Sequence, residues 1–92
     1  MPDSKHAPRR NPDSFELHFE ADAMSDALLR VLAFALSLSL APQRILAERN
    51  GEWIEAEIAF GGAGERPAQL LLAKTAAIVS VRRARLNGYP EA

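Results

Sequence analysis

No cysteine occurs in the 92 residues. That excludes a disulfide scaffold, a thiolate metal site and a thiol nucleophile. An excess of one charge is missing too: 11 basic residues against 12 acidic ones leave a formal charge of −1. No global field therefore draws the chain toward nucleic acid or an anionic membrane. Aromatics are scarce, with one Trp, one Tyr and four Phe. The longest apolar stretch, Val31 to Ala41, is interrupted by Ser37 and Ser39 and falls well short of the about 20 residues that span a bilayer. The expectation is a soluble chain, cytoplasmic by default, with no membrane and no nucleic acid among its partners. What is present is globular: 48% hydrophobic and 25% charged residues, in a length that suits one small domain.

Met1 to Asp13 contain Pro2, Pro8 and Pro12 and almost no apolar side chain, so 1–13 is expected as a flexible tail. Lys5, His6, Arg9 and Arg10 are too scattered to make a nucleic-acid arm. No apolar core follows the basic residues, as a secretory signal requires. From Phe15 the pattern becomes regular. Phe15, Leu17 and Phe19 alternate with Glu16, His18 and Glu20, the period of a strand with one buried face. Asp22 is placed to cap a helix over about 23–40, stopped by Pro42. Strands at about 43–49 and 52–60 flank Asn50-Gly51, a hairpin signal. Pro67 suits the first turn of a helix over about 66–77, and 79–86 reads as a last strand. The domain then spans 14–87, with 88–92 a short tail.

The order β-α-β-β-α-β points to an α+β, ferredoxin-like fold, with two helices on one face of a four-stranded antiparallel sheet. Right-handed crossovers give the strand order 4-1-3-2. A two-residue turn at Asn50-Gly51 predicts Arg49 opposite Glu52, Ala47 opposite Ile54, Ile45 opposite Ala56 and Arg44 opposite Glu57.

The first helix carries a stripe of Met24, Leu28, Val31, Leu32 and Ala35 to cover the sheet. A second stripe, Leu29, Ala33, Leu36 and Leu40, points about a quarter-turn away. A small sheet covers one side of a helix, so this second stripe is read as a partner surface. The second strand forms a sheet edge with unpaired backbone groups. Two copies joined there would hide both liabilities, with Leu29, Leu36, Leu40 and Leu46 at the dimer interface.

Catalytic constellations are missing. Gly61-Gly62-Ala63-Gly64 lacks the Lys-Ser/Thr of a phosphate-binding loop and the spacing of a dinucleotide fingerprint. Ser37 and Ser39 have no His or acid at suitable spacing. Glu16, His18 and Glu20 share one strand face, a triplet that alternation makes by chance, so no metal site is assigned. The open sheet face is expected to carry these three with Arg44, Leu46, Glu48, Trp53, Glu55, Glu57, Arg83 and Arg85. It reads as a solvated face laced with cross-strand ion pairs, and it lacks the central aromatics of an RNA-binding sheet.

The segment Phe19-Glu20-Ala21-Asp22-Ala23-Met24-Ser25-Asp26-Ala27-Leu28-Leu29-Arg30-Val31-Leu32, set after an alternating strand, resembles an ACT-type regulatory domain. More narrowly, it is similar to the short small subunits of acetolactate synthase, whose first helix carries a similar Leu-Arg-Val core. The resemblance implies a non-catalytic, amino-acid-sensing regulatory domain without cofactor, paired as a homodimer through the second strand and first helix. It further implies a possible larger catalytic subunit as partner and a role in branched-chain amino-acid biosynthesis. Effector contacts are implied at Ala21, Asp22, Ala23 and Met24. This loop has no Gly, and neither does the helix end Leu36-Ser37-Leu38-Ser39-Leu40, whereas the family tends to carry one at each. The alternative is a ligand-free dimerisation or protein-interaction module of the same fold.

Overall fold

A computed structural model describes residues 14–61 and 64–88. The tail expected over 1–13 and most of that over 88–92 lie outside the described residues, as do Gly62 and Ala63. The elements are β1 (Phe15–Asp22), α1 (Ala27–Ser37), β2 (Pro42–Asn50), β3 (Trp53–Phe60), α2 (Glu65–Ala76) and β4 (Val81–Asn87). The sheet is antiparallel with order β2-β3-β1-β4, the expected ferredoxin-like arrangement. β1 and β3 occupy its centre, and both helices lie on one face.

Alternation along the central strands builds the core. Phe15, Leu17, Phe19 and Ala21 of β1 turn inward beside Ala56, Ile58 and Phe60 of β3. The rings of Phe15 and Phe60 stack with centroids 5.0 Å apart. Ala27, Val31 and Ala35 of α1 and Ala68, Leu71 and Thr75 of α2 close the layer. Small residues on α1 let the helix approach the sheet; each large apolar side chain buried beneath contributes about 1.5–3 kcal/mol. Thr75 is satisfied inside this core, its hydroxyl donating to the Leu71 carbonyl at 2.8 Å.

Several local expectations are corrected. α1 spans 27–37, shorter at both ends than the expected 23–40. Asp22 is not its N-cap: the N-cap is Asp26, without a side-chain cap bond. The segment from Asp22 to Ser25 instead folds on itself, leaving Met24 outside the core stripe and 81% exposed. At the other end, Pro42 does not stop the helix. Leu40 N–H donates to Ala35 O and Ser39 N–H to Leu36 O, a Schellman motif in which Ser39 takes the left-handed position at φ 63°. Leu40 follows into the core, 2% exposed.

The hairpin loop is Gly51-Glu52, not Asn50-Gly51, because Asn50 pairs with Trp53. Gly51 has φ 70° and Glu52 is not among the positive-φ residues, the pattern of a turn with glycine at its first central position. The register therefore shifts by two residues. Ala47 faces Ala56, Ile45 faces Ile58 and Arg49 faces Ile54, while Arg44 lies opposite Ala59 instead of Glu57. An even shift keeps every side chain on its expected face. β4 begins at Val81, not Val79, which sits in the preceding turn and is 99% exposed.

Candidate functional site

The loop between β1 and α1 is held by its own hydrogen bonds. Met24 N–H donates to Asp22 Oδ1 at 3.0 Å, and the Ser25 hydroxyl donates to Asp22 O at 2.8 Å. Ser25 Oγ in turn accepts from Ala27 N–H at 3.2 Å. Ala23 N–H donates to Glu52 O, and Ser25 N–H to Asp22 O. Of the four residues expected to meet an effector, Ala21 is buried in the core, Asp22 and Met24 are exposed and Ala23 is half-buried. The N–H groups of Ala23 and Met24 are engaged within the protein.

An apolar surface adjoins this loop. Lys74 Nζ of α2 sits 5.2 Å from the Phe34 ring, so the Phe34 side of α1 faces α2. Leu36 and Leu29 lie about 200–220° around the helix from Phe34, away from α2, and are 65% and 70% exposed. Leu28 and Leu32, half-buried, continue this flank down to the sheet. Neither helix packs closely on β2, and every residue of that strand after Pro42 is exposed. Ile45 therefore remains open on the inward side of the edge strand. Of the expected interface residues, Leu29 and Leu36 share this surface. Leu40 does not, because the Schellman turn carries it into the core. Leu46 is exposed, but it points to the opposite face of the sheet.

That opposite face forms an open groove of about 890 Å³. Register arranges its side chains in rows across the strands, in the order β2, β3, β1, β4. One row is Arg44, Ala59, Glu16, Asn87; the next is Leu46, Glu57, His18, Arg85; the third is Glu48, Glu55, Glu20, Arg83. Arg44 Nη2 passes over the small Ala59 to reach Glu16 Oε2 at 3.1 Å. His18 Nε2 lies 3.0 Å from Glu16 Oε1 and 3.1 Å from the Asn87 amide, with Glu57 Oε2 3.7 Å from Nδ1.

Arg82 joins this face through a β-bulge. Glu20 pairs with Arg83 and Ala21 with Val81, so Arg82 is the extra residue. Its Nε donates to Glu20 Oε1 at 2.8 Å, and its guanidinium carbon stands 3.7 Å from the Trp53 ring centroid. Alternation along β4 assigns Arg83 and Arg85 to the open face and misses Arg82, because a bulge leaves no periodic trace.

Glu16, His18 and Glu57 bring candidate ligand atoms within 4.8 Å of one another. Glu20, expected in the strand triplet, is not part of this group. The Arg44 guanidinium pairs with Glu16 at 3.1 Å, so one of the two carboxylates in the cluster already has a cation.

A family model described as an ACT-like domain matches residues 9–92. The chain belongs to the ACT-like domain family. Such domains are typically regulatory and ligand-sensing. No sequence match to a curated protein was found. Among solved structures, this ACT-like domain is similar to the ACT domain of a GTP pyrophosphokinase from Chlorobium tepidum, at TM-score 0.70 and 5% identity over 83% of this chain and 99% of that one. It is also similar to a homoserine dehydrogenase from Thiobacillus denitrificans, at TM-score 0.72 and 12% identity, covering 86% of this chain and 18% of the enzyme. A third is the regulatory subunit of aspartate kinase from Thermus thermophilus, in its ligand-free form, at TM-score 0.68 and 12% identity over 85% of this chain and 52% of that one. At these identities the likeness is one of fold. Among the described residues of this ACT-like domain, no helix is long and apolar enough to cross a membrane.

Proposed function

We propose that this ACT-like domain is a non-catalytic regulatory module that pairs as a homodimer and senses a small amino-acid effector. Its partner is a larger enzyme of amino-acid biosynthesis, of the acetolactate synthase kind and the branched-chain pathway. The observation that carries the reading is the uncovered surface of α1 and β2. Leu29 and Leu36 stand exposed on α1, beside an edge strand whose inward Ile45 no helix covers. Joining two such edges would extend the sheet and bury these side chains together. The β1–α1 loop lies beside that junction. A ligand held there would act by binding one arrangement of the pair better than another, and so bias how the pair docks on the enzyme.

A second reading has an observation of its own. The Ala23 and Met24 N–H groups are already bonded to Glu52 O and Asp22 Oδ1. A loop so satisfied suits a ligand-free dimerisation module, since an effector would first have to displace these bonds.

A thermal-shift screen of the full chain against the twenty amino acids separates the two. An effector at 100 times its Kd should stabilise the fold by about 2.7 kcal/mol, a rise in Tm of roughly 10–20 °C. A selective shift with valine, leucine or isoleucine supports the branched-chain assignment. A flat screen overturns amino-acid sensing and leaves the dimerisation module.

A further inference from the structure

Apart from Arg44, which reaches across to Glu16, the charges of β2, β3 and β4 on the open sheet face are sorted by strand. Glu48 and Glu55 are direct cross-strand neighbours on β2 and β3, and Glu57 follows on β3. Arg82, Arg83 and Arg85 line β4 at the other edge of the same groove. Like charges placed directly opposite destabilise a sheet. Among the described residues no ion pair is found for Glu48 or Glu55, while Arg82 and Arg83 both turn to Glu20, at 2.8 and 3.5 Å. With Arg44 and Glu16 paired to each other and Glu20 held by Arg82 and Arg83, the β2–β3 side of the face is left acidic and the β4 side basic, with exposed Leu46 among the acids. A uniformly charged partner would satisfy one half and be repelled by the other.

We infer that this face pairs with the same face of a second copy. Consider a two-fold axis in the interface plane, parallel to the strands and passing between β3 and β1. It lays β2 of one copy over β4 of the other and keeps each row on its own level. Glu48 then meets the partner's Arg83, the aliphatic stem of the partner's Arg85 covers Leu46, and Glu57 meets the partner's His18. Glu55 falls over the partner's Glu20, the one acid on this face that already carries two guanidinium contacts. The pattern is self-complementary, as an isologous contact requires. Four strands about 4.8 Å apart and about 3.4 Å per residue give a face of roughly 20 by 27 Å, at the small end for a specific interface. Charge complementarity chiefly sets orientation and association rate. The contact is therefore weak and sensitive to salt, and it is separate from the edge pairing through α1 and β2.

Sedimentation of the full chain at about 0.01 M and about 1 M salt tests this, since the Debye length falls from about 30 Å to about 3 Å between them. One association step, a doubling of mass, should weaken at least ~tenfold in Kd at the higher salt. Leu36→Glu reports on the edge pairing and should leave the salt-dependent step in place, so the two readings fail separately. Two further variants, Glu48→Arg with Glu55→Arg and Arg83→Glu with Arg85→Glu, should each lose the step alone while circular dichroism shows them folded. Mixed in equal amounts they should regain it, because each reversed half then meets an opposite one. A mass insensitive to salt, a reversal variant that still self-associates through this step, or a mixture that fails to regain it would overturn the inference.

Discussion

Arg82 lies flat enough on Trp53 to bring its guanidinium carbon 3.7 Å from the ring centroid, while the same guanidinium holds Glu20 at 2.8 Å. The pair joins β4 to β3 over the intervening β1. A cation over an indole contributes about 0.5–1 kcal/mol at an exposed site. Arg82→Ala, which removes this contact and the Glu20 ion pair, should therefore cost about 1–2 kcal/mol in chemical denaturation. It should also change the intrinsic fluorescence of the protein's one tryptophan, because the indole loses its cover. An unchanged emission spectrum would mean that the contact does not persist in solution.

Ser39 gives a prediction of the opposite sign. It holds φ 63° at the left-handed position of the Schellman motif, where a side chain costs about 1 kcal/mol relative to glycine. Ser39→Gly should stabilise the domain by about that amount, raising Tm by roughly 4–8 °C. A lower melting temperature would show that the serine side chain contributes more than the backbone strain removes.

Gly88 should tolerate nothing larger. Its φ is 114°, and a Cβ there would stand 2.9 Å from Phe15 Cα and 3.0 Å from Ser14 O. Both obstacles belong to backbone and cannot rotate aside. Gly88→Ala is expected to destabilise by about 2 kcal/mol or more, read as a lower denaturant midpoint with an unchanged slope. An unaltered midpoint would mean that the junction opens without penalty.

Leu36→Glu tests the edge pairing. Leu36 is 65% exposed, so a carboxylate there is solvated in a free chain and unpaired in a buried contact. The variant should lose the salt-resistant dimer in sedimentation and keep its folded circular dichroism spectrum. A dimer that survives at high salt would place the interface elsewhere.

The sequence made the sheet legible because alternation is a short-range signal. Glu16, His18 and Glu20 against Leu17 and Phe19 define the two faces of β1 without reference to any other strand. The hairpin was half legible. Gly51 marks the turn, but Asn50 prefers to pair with Trp53, and that choice depends on the whole ladder. Leu40 and Arg82 sit where periodicity fails for a common reason. A local break in period lies at each, the Schellman turn in one case and the β4 bulge in the other; extrapolating the helical period leaves Leu40 on the partner stripe instead of in the core, and strand alternation alone does not place Arg82 on the open face. The bonds that satisfy the β1–α1 loop were invisible too, since Ala23 N–H finds its acceptor in Glu52, far along the chain. Sequence pattern gives which residues share a face; it does not give which donors are already taken.

The close approach of Gly88 to Ser14 and Phe15 has a consequence for attachment. Ser14 and Gly88, the first and last described residues, meet at a single corner. Anything covalently joined before or after the domain pulls on that one point, as on a pendant. The Gly51 turn lies at the far end of the sheet from that corner. Linking entry to exit and reopening the chain at Gly51-Glu52 would move the attachment to the other end and leave every strand pairing in place.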